Sequence, residues 1–171
     1  MITNFLLDHS ALIPVTMAVI AIVCVGLGYL LLRARRRNVH RLLWTLAGLS
    51  LLPVVALTLL PTSGRSFAFC VVQFSMPTLG SVELLANVAL FFPPVFFATL
   101  ATRKPLLTLA AGTALSAAIE IIQGLLPAIG RSCDTNDWAM NTAGAVVAVI
   151  LASATMALTR RKQPMETAGD A

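Results

Sequence analysis

The 171-residue chain is 58% hydrophobic and only 11% charged, whereas a soluble domain carries about 25% charged residues. So little charge cannot keep a folded surface in water, which excludes an ordinary soluble protein and predicts that lipid covers much of the chain. The net charge of +5 does not indicate a nucleic-acid partner, because the basic residues stand in short clusters at the ends of apolar runs.

Five apolar runs are long enough to cross a bilayer as helices, which takes roughly 20 residues each. Helices of this length satisfy every backbone group inside lipid. The sequence therefore predicts an all-α, polytopic membrane helix bundle. A short interfacial helix is expected at 67–74 and a disordered tail from residue 163. The predicted spans are 11–32, 42–60, 84–101, 106–126 and 138–158.

The distribution of basic residues predicts the topology, because cytoplasmic loops carry an excess of Lys and Arg. Ten of the twelve basic residues follow the first, third and fifth runs. The N-terminus is therefore expected outside and the C-terminus in the cytoplasm. The first run is expected to be a signal anchor, because its arginines follow it. The cytoplasmic ten are Arg33, Arg35, Arg36, Arg37, Arg41, Arg103, Lys104, Arg160, Arg161 and Lys162; Arg65 and Arg131 are expected outside.

Glu120 is the only charge well inside an apolar run. It lies roughly 9 Å below the outer end of the fourth span, where an unpaired acid costs a few kcal/mol. Thr113, Ser116 and Gln123 share its helical face at spacings of three and four residues. We expect this stripe to point into the bundle, either as a protonated structural glutamate that joins helices or as part of a functional site.

A second polar group opens the fifth run. Asp134 is placed as an N-cap with Asp137 three residues later, in the manner of a capping box. Capping does not explain Asn141, which lies about 6 Å inside the span and is expected to face protein or a wet cavity. Small residues continue this face and should let another helix approach closely; they are Gly144, Ala148 and Ala152.

The third run adds Asn87, about one turn below its outer boundary, and then the Pro93–Pro94 pair. The two prolines remove two backbone donors and are expected to kink the helix. Three helices thus carry polar groups at the same depth, and we expect these groups to form one pocket. Arg131 would neutralise a nearby acid there, or bind a phosphate or carboxylate of a ligand.

Glu120, Asp134 and Asp137 could instead bind a hard divalent cation such as Mg²⁺ or Ca²⁺ through oxygen ligands. The sequence otherwise predicts no cofactor. Cys70 and Cys133 both fall in outer loops, where an oxidising compartment allows a disulfide that would tie the loop of Cys70 to the polar group. Cys24 lies inside the first run and is expected to pack in the core.

These residues together resemble the VanZ-like family. Asn87 and the Phe-Phe-Pro93 that follows it resemble the family's N…(F)xP element. Glu120-Ile-Ile-Gln123 and the stretch from Gly130 to Gly144 are similar to its ExxQ…GRxxDxxDxxxNxxG signature. The ordered set is specific and covers about 42–158. We accordingly divide the chain into an anchor helix with a basic loop (1–41), a VanZ-like four-helix membrane domain (42–158), and a basic flank with a tail (159–171).

The family is named for a glycopeptide-resistance accessory protein that raises teicoplanin tolerance. The resemblance implies a multi-pass protein of the bacterial plasma membrane that acts at the outer face, where lipid-linked cell-wall precursors and glycopeptides meet. The first hypothesis is a non-enzymatic envelope protein that binds a lipid head group, a cell-wall precursor or a glycopeptide. Arg131 would meet the anionic group, while Asn87, Gln123 and Asn141 would orient the ligand.

The second hypothesis is an intramembrane enzyme that acts on a lipid-linked phosphate or ester. Glu120 would be its general acid or base, and Asp134 and Asp137 would be metal ligands or a second acid. A third hypothesis, a proton-coupled transporter that uses Glu120, is weaker because five helices show no inverted repeat. Pro93 and Gly144 are expected to have structural roles.

Overall fold

A computed structural model describes residues 12–34, 38–61, 70–75 and 81–161. It contains five helices that are long and apolar enough to cross a membrane, and no strand occurs within these ranges. The prediction of an all-α bundle with five spans is therefore confirmed. The helices are α1 (Leu12–Arg33), α2 (Val39–Leu59), α3 (Val82–Thr102), α4 (Pro105–Leu125) and α5 (Thr135–Arg161), with a short 3-10 turn at Pro127–Ile129.

The helix ends differ from the predicted ends by at most three residues. Helix α2 begins at Val39 rather than at 42, and α5 extends from Thr135 to Arg161 rather than over 138–158. The extra residues are mainly polar or basic, so hydropathy alone excluded them although the backbone continues as helix. The predicted start at residue 11, the tail from 163 and the basic residues at 35–37, 65 and 162 lie outside the described residues.

Helices α3 and α5 form the centre of the bundle. Helix α3 contributes large side chains, among them Phe96 and Leu100, which are almost inaccessible. Helix α5 faces it with Ala145, Ala148 and Ala152, none of which has any exposed surface. These small side chains allow the close approach that the sequence predicted for this face.

Helices α1, α2 and α4 surround this pair and turn apolar side chains outward. Leu106 is 80% exposed and Ile22 is 70% exposed, as expected for surfaces that contact lipid chains. Cys24 of α1 is buried in the same core cluster as α3 and α5. The prediction that Cys24 is a packing residue is confirmed.

Helix α3 continues through Pro93 and Pro94 without interruption. Neither proline has an N–H, so the carbonyls of Ala89 and Leu90 lack their helical donors. The predicted kink at this position stays a prediction. Proline also occurs inside α2, at Pro53.

The segment 70–75 is not helical. The interfacial helix predicted over 67–74 is therefore wrong for residues 70–74, and residues 67–69 lie outside the described ranges. The Val71 N–H donates to the Cys133 carbonyl at 2.9 Å, and the Thr135 N–H donates to the Val71 carbonyl at 3.1 Å. This pairing holds the segment extended against the start of α5, so its apolar residues do not form a helix.

Candidate functional site

A polar cavity of about 360 Å³ lies at the end of the bundle where α2 and α4 end and α3 and α5 begin. Six of the seven residues predicted to act in chemistry or binding line it. The seventh, Asp134, does not. The polar residues of the wall are Thr58, Glu83, Asn87, Glu120, Gln123, Arg131, Asp137 and Asn141.

Asn87 and Asp137 connect α3 to α5 at this level. The Asn87 Nδ2 group donates a 2.6 Å hydrogen bond to Oδ1 of Asp137. Asn87 lies in the second turn of α3 and Asp137 in the first turn of α5, so the two side chains meet near the start of both helices. This bond orients the Asp137 carboxylate within the cavity wall.

Asn141 lies deeper and is only 2% exposed. Its Nδ2 group donates to Oγ of Ser116 on α4 at 2.9 Å. Its Oδ1 atom is buried and finds no hydrogen-bond partner among the described residues. The prediction that Asn141 faces protein or a cavity is confirmed, because Asn141 does both.

Replacing Ser116 by alanine should lower the free energy of unfolding by about 1 kcal/mol. The change leaves Nδ2 of Asn141 without its partner, and hydrogen bonds between membrane helices contribute about 0.6 kcal/mol on average and up to about 1.7 kcal/mol. Ser50→Ala is the matched control, because the Ser50 hydroxyl donates to the Ala47 carbonyl of its own helix and so does not join two helices through this bond. Thermal unfolding in detergent measures both, and equal midpoints would contradict the role of the Ser116–Asn141 bond.

Glu120 completes the N-terminal cap of α5. The Asp134 Oδ1 atom accepts from the Asn136 N–H at 2.8 Å, which confirms Asp134 as an N-cap. The Asp134 N–H donates to Oε2 of Glu120 at 2.8 Å. The expected capping box is wrong in its second half, because Glu120 takes the position predicted for Asp137. Asp137 bonds instead to Asn87.

The carboxylate of Asp134 is turned away from the cavity. Its Oδ2 atom accepts a 2.6 Å hydrogen bond from Nε2 of Gln73. The same segment donates from the Gln73 N–H to Oγ1 of Thr135, and from the Ser75 N–H to Oδ1 of Asn136, both at 3.0 Å. Asp134 thus fastens the 70–75 segment to α5, and its position does not suit the predicted role as a cavity acid or metal ligand.

A disulfide joins Cys70 to Cys133, with Cα atoms 4.5 Å apart and a sequence separation of 63 residues. It ties the 70–75 segment to the residue directly before Asp134. The amide that Glu120 binds therefore lies beside a covalent cross-link. This arrangement fixes the amide that positions Glu120, which lines the cavity.

Gln123 connects α4 to α2. Its Nε2 group donates to the Thr58 carbonyl at 2.8 Å. Thr58 lies in the last turn of α2, where backbone carbonyls have no acceptor role inside the helix and remain available. This contact closes one side of the cavity.

Arg131 contributes the positive charge of the cavity wall, and its buried Nε atom has no hydrogen-bond partner within the described part of the chain. Three carboxylates, those of Glu83, Glu120 and Asp137, line the same cavity. No group of three or more His, Cys, Asp or Glu side chains is placed to hold a metal ion in the described ranges. The predicted cation trio does not converge, because Asp134 points toward Gln73.

Sequence reasoning missed two members of this site. Glu83 precedes Asn87 by four residues and therefore shares its helical face, a spacing that could have identified it from the sequence. The Thr58 carbonyl was also missed, because a backbone acceptor has no signature in the sequence. The stripe residue Thr113 acts in the same way, accepting from Nε1 of Trp138 through its carbonyl at 3.3 Å.

The opposite end of the bundle has a basic character. A smaller cavity of about 190 Å³ is lined there by Arg103 and Arg160, together with Leu32 and Thr159. These residues end α1, α3 and α5. The polar cavity and the basic cluster thus occupy the two ends of one bundle.

The family model described as VanZ/LLP1 matches residues 17–157. The match begins within α1, upstream of residue 42, where the resemblance seen in the sequence begins. Comparison with curated proteins and with solved structures found no match. Since the family model covers most of the chain and all six cavity residues predicted from the signature, the chain is a multi-spanning member of the VanZ/LLP1 family.

Proposed function

We propose that this protein binds the polar head group of a membrane lipid or a lipid-linked cell-wall precursor in the cavity at the ends of α2–α5, without converting it. The observation that carries the proposal is a pair of buried polar atoms, on two residues that line the cavity, with no hydrogen-bond partner among the described residues. They are Nε of Arg131 and Oδ1 of Asn141. A buried donor or acceptor without a partner costs about 1–3 kcal/mol, and a bound polar group would remove that cost.

The charges of the wall indicate the chemistry of the head group. One guanidinium, that of Arg131, suits a phosphate or carboxylate. Three carboxylates would repel a ligand with several negative charges but accept hydrogen bonds from amines or hydroxyls. The wall therefore favours a head group that combines one anionic group with amine or hydroxyl donors, as aminophospholipids and sugar-bearing precursors do.

The outer leaflet is the side that we propose for this site. The described basic residues other than Arg131 lie at the opposite end, at Arg33, Arg41, Arg103, Lys104, Arg160 and Arg161, and basic ends face the cytoplasm. The disulfide at the cavity end also suits an oxidising exterior. Both arguments favour an orientation with the cavity outward, and the bacterial plasma membrane is the location that we propose from the family resemblance.

Native mass spectrometry of the detergent-solubilised protein tests the proposal through the membrane lipids that it retains from the expression host. We expect the wild type to retain a defined lipid species and Arg131→Gln to retain it about tenfold less, equivalent to about 1.4 kcal/mol. Arg103→Gln is the matched control, since it removes the same charge at the opposite end. Equal retention by Arg131→Gln and the wild type would overturn the proposal.

The same site bears on glycopeptide tolerance, because lipid-linked precursors are the targets of glycopeptides. Cells that express the wild type should tolerate more teicoplanin than cells that express Arg131→Gln at the same level, while Arg103→Gln should behave as the wild type. The minimal inhibitory concentration measures this effect. If all three strains share one inhibitory concentration, the binding function does not extend to tolerance.

An intramembrane hydrolase is the second candidate, favoured by the presence of Glu120 and Asp137 in one cavity wall. Two acids in one site are what general acid–base catalysis requires. Glu120→Gln is a clean test, because the glutamine carbonyl can still accept from the Asp134 N–H. If the protein is a hydrolase, reconstituted wild type releases phosphate or fatty acid from host lipids and Glu120→Gln does not; a binder releases none in either form.

A further inference from the structure

An apolar groove of about 340 Å³ runs alongside the polar cavity. Its walls come from three helices: Met17 and Ile20 of α1, Pro53 of α2, and Ala89 and Pro93 of α3. Pro53 is exposed, so the groove reaches the outside of the bundle, where lipid lies. The side chains of Ala86 and Ala89 on α3 are small, so they leave space in the groove that larger side chains would fill.

The groove and the polar cavity share part of their walls. Ala86 and Leu90 of α3 line both. Asn87, which lies between them in the sequence, reaches Asp137 in the polar cavity. One stretch of α3 thus separates a charged compartment from a hydrocarbon-like one, with no other helix in between.

The length of the groove matches one leaflet of a bilayer. Along α3 its lining extends from Val82 to Pro93, a rise of about 16 Å. The hydrocarbon core of a bilayer is about 30 Å thick, so one leaflet measures about 15 Å. The groove therefore begins at the level of the polar cavity and ends near the middle of the membrane.

We propose that the two compartments form one site for a membrane-embedded amphiphile, with its head group in the polar cavity and one hydrocarbon chain in the groove between α1, α2 and α3. This inference rests on the proposed head-group function and adds the substrate class: a ligand with a long chain that enters sideways from the bilayer. Water-soluble fragments that carry the head group alone should be poorer ligands, because no chain holds them in the membrane at a high effective concentration beside the cavity.

The groove takes up the chain because the bound head group holds that chain nearby, and not because the groove is more apolar than lipid. A chain gains little on moving from lipid to an apolar protein wall, since both surroundings are equally apolar. A head group held by Arg131 places its own chain beside the groove at a high effective concentration. Filling the groove would leave the chain of a bound amphiphile no space beside the head group, so it should weaken retention of the whole amphiphile although the head-group side chains are unchanged.

The test uses Ala89→Phe, which fills the groove at a residue that does not line the polar cavity. We expect the detergent-solubilised variant to retain host membrane lipid about tenfold less than the wild type in native mass spectrometry. Ala111→Phe is the matched control, because Ala111 lines a separate apolar groove between α2, α3 and α4. Met17→Trp fills the same groove from α1 and replaces Ala89→Phe if that variant does not fold.

The outcomes separate this inference from the proposed function. Loss with Arg131→Gln but full retention with the groove variants would overturn the groove and leave head-group binding intact. Loss with the groove variants alone would overturn head-group binding, and the amphiphile site with it. A change in the dimer fraction without a change in lipid retention would identify the groove as a helix-binding face, which also contradicts the proposal.

Discussion

Gly144→Ala is expected to destabilise the bundle by about 3 kcal/mol, the upper end of the usual cost of overpacking. A Cβ atom at Gly144 would overlap the backbone carbonyl of Val88 on α3. Backbone cannot rotate away as a flexible side chain does, so α3 and α5 would have to separate. Separation would also loosen the packing of Ala145 and Ala148 and pull Asn87 from Asp137.

Gly48→Ala and Gly26→Ala are the controls for this prediction, because an added Cβ at either position meets nothing within 4 Å. Both are helical, and alanine is favoured over glycine in a helix by about 0.8–1.0 kcal/mol. They should therefore be neutral or slightly stabilising. Thermal unfolding in detergent compares the three, and a Gly144→Ala midpoint equal to the wild-type midpoint would contradict the close contact of α3 with α5.

The bundle could be predicted from the sequence because its physical cause is local. A run of about 20 apolar residues has few alternatives to a spanning helix, and each run could be assessed alone. The same locality explains the small errors at helix ends, where polar residues such as His40 and Arg41 continue α2 beyond its apolar part. Depth along each helix then predicted that polar groups of α3, α4 and α5 would meet.

The partners within the site could not be predicted, because they depend on how helices rotate and on segments distant in sequence. Asp134 has the pattern of a site acid, yet its carboxylate accepts a hydrogen bond from Gln73, which is 61 residues away in the sequence. Glu120 has the pattern of a buried functional acid, yet one of its oxygens caps α5. Glu120 thus has a structural role and also lines the cavity, so the structural and the functional hypotheses for this residue are compatible.

Removing the disulfide with the double variant Cys70→Ser, Cys133→Ser is expected to lower the free energy of unfolding by about 2–4 kcal/mol. The cross-link closes a long segment, since its cysteines are 63 residues apart, and it holds Val71 where it pairs with the residues beside Asp134. Without it, the amide that Glu120 binds loses its fixed position. Lipid retention should therefore fall together with stability.

Thiol counting and thermal unfolding test the disulfide and its effect on stability independently of lipid retention. Denatured wild type should expose one reactive thiol, that of Cys24, before reduction and three after it. A reducing agent should bring the wild-type midpoint down to that of the double variant, leave the double variant unchanged, and shift Cys24→Ala as much as the wild type. Three reactive thiols in protein purified without a reducing agent would contradict the cross-link. They would also contradict the proposed outward position of the cavity, because cysteines at a cytoplasmic end of the bundle would stay reduced.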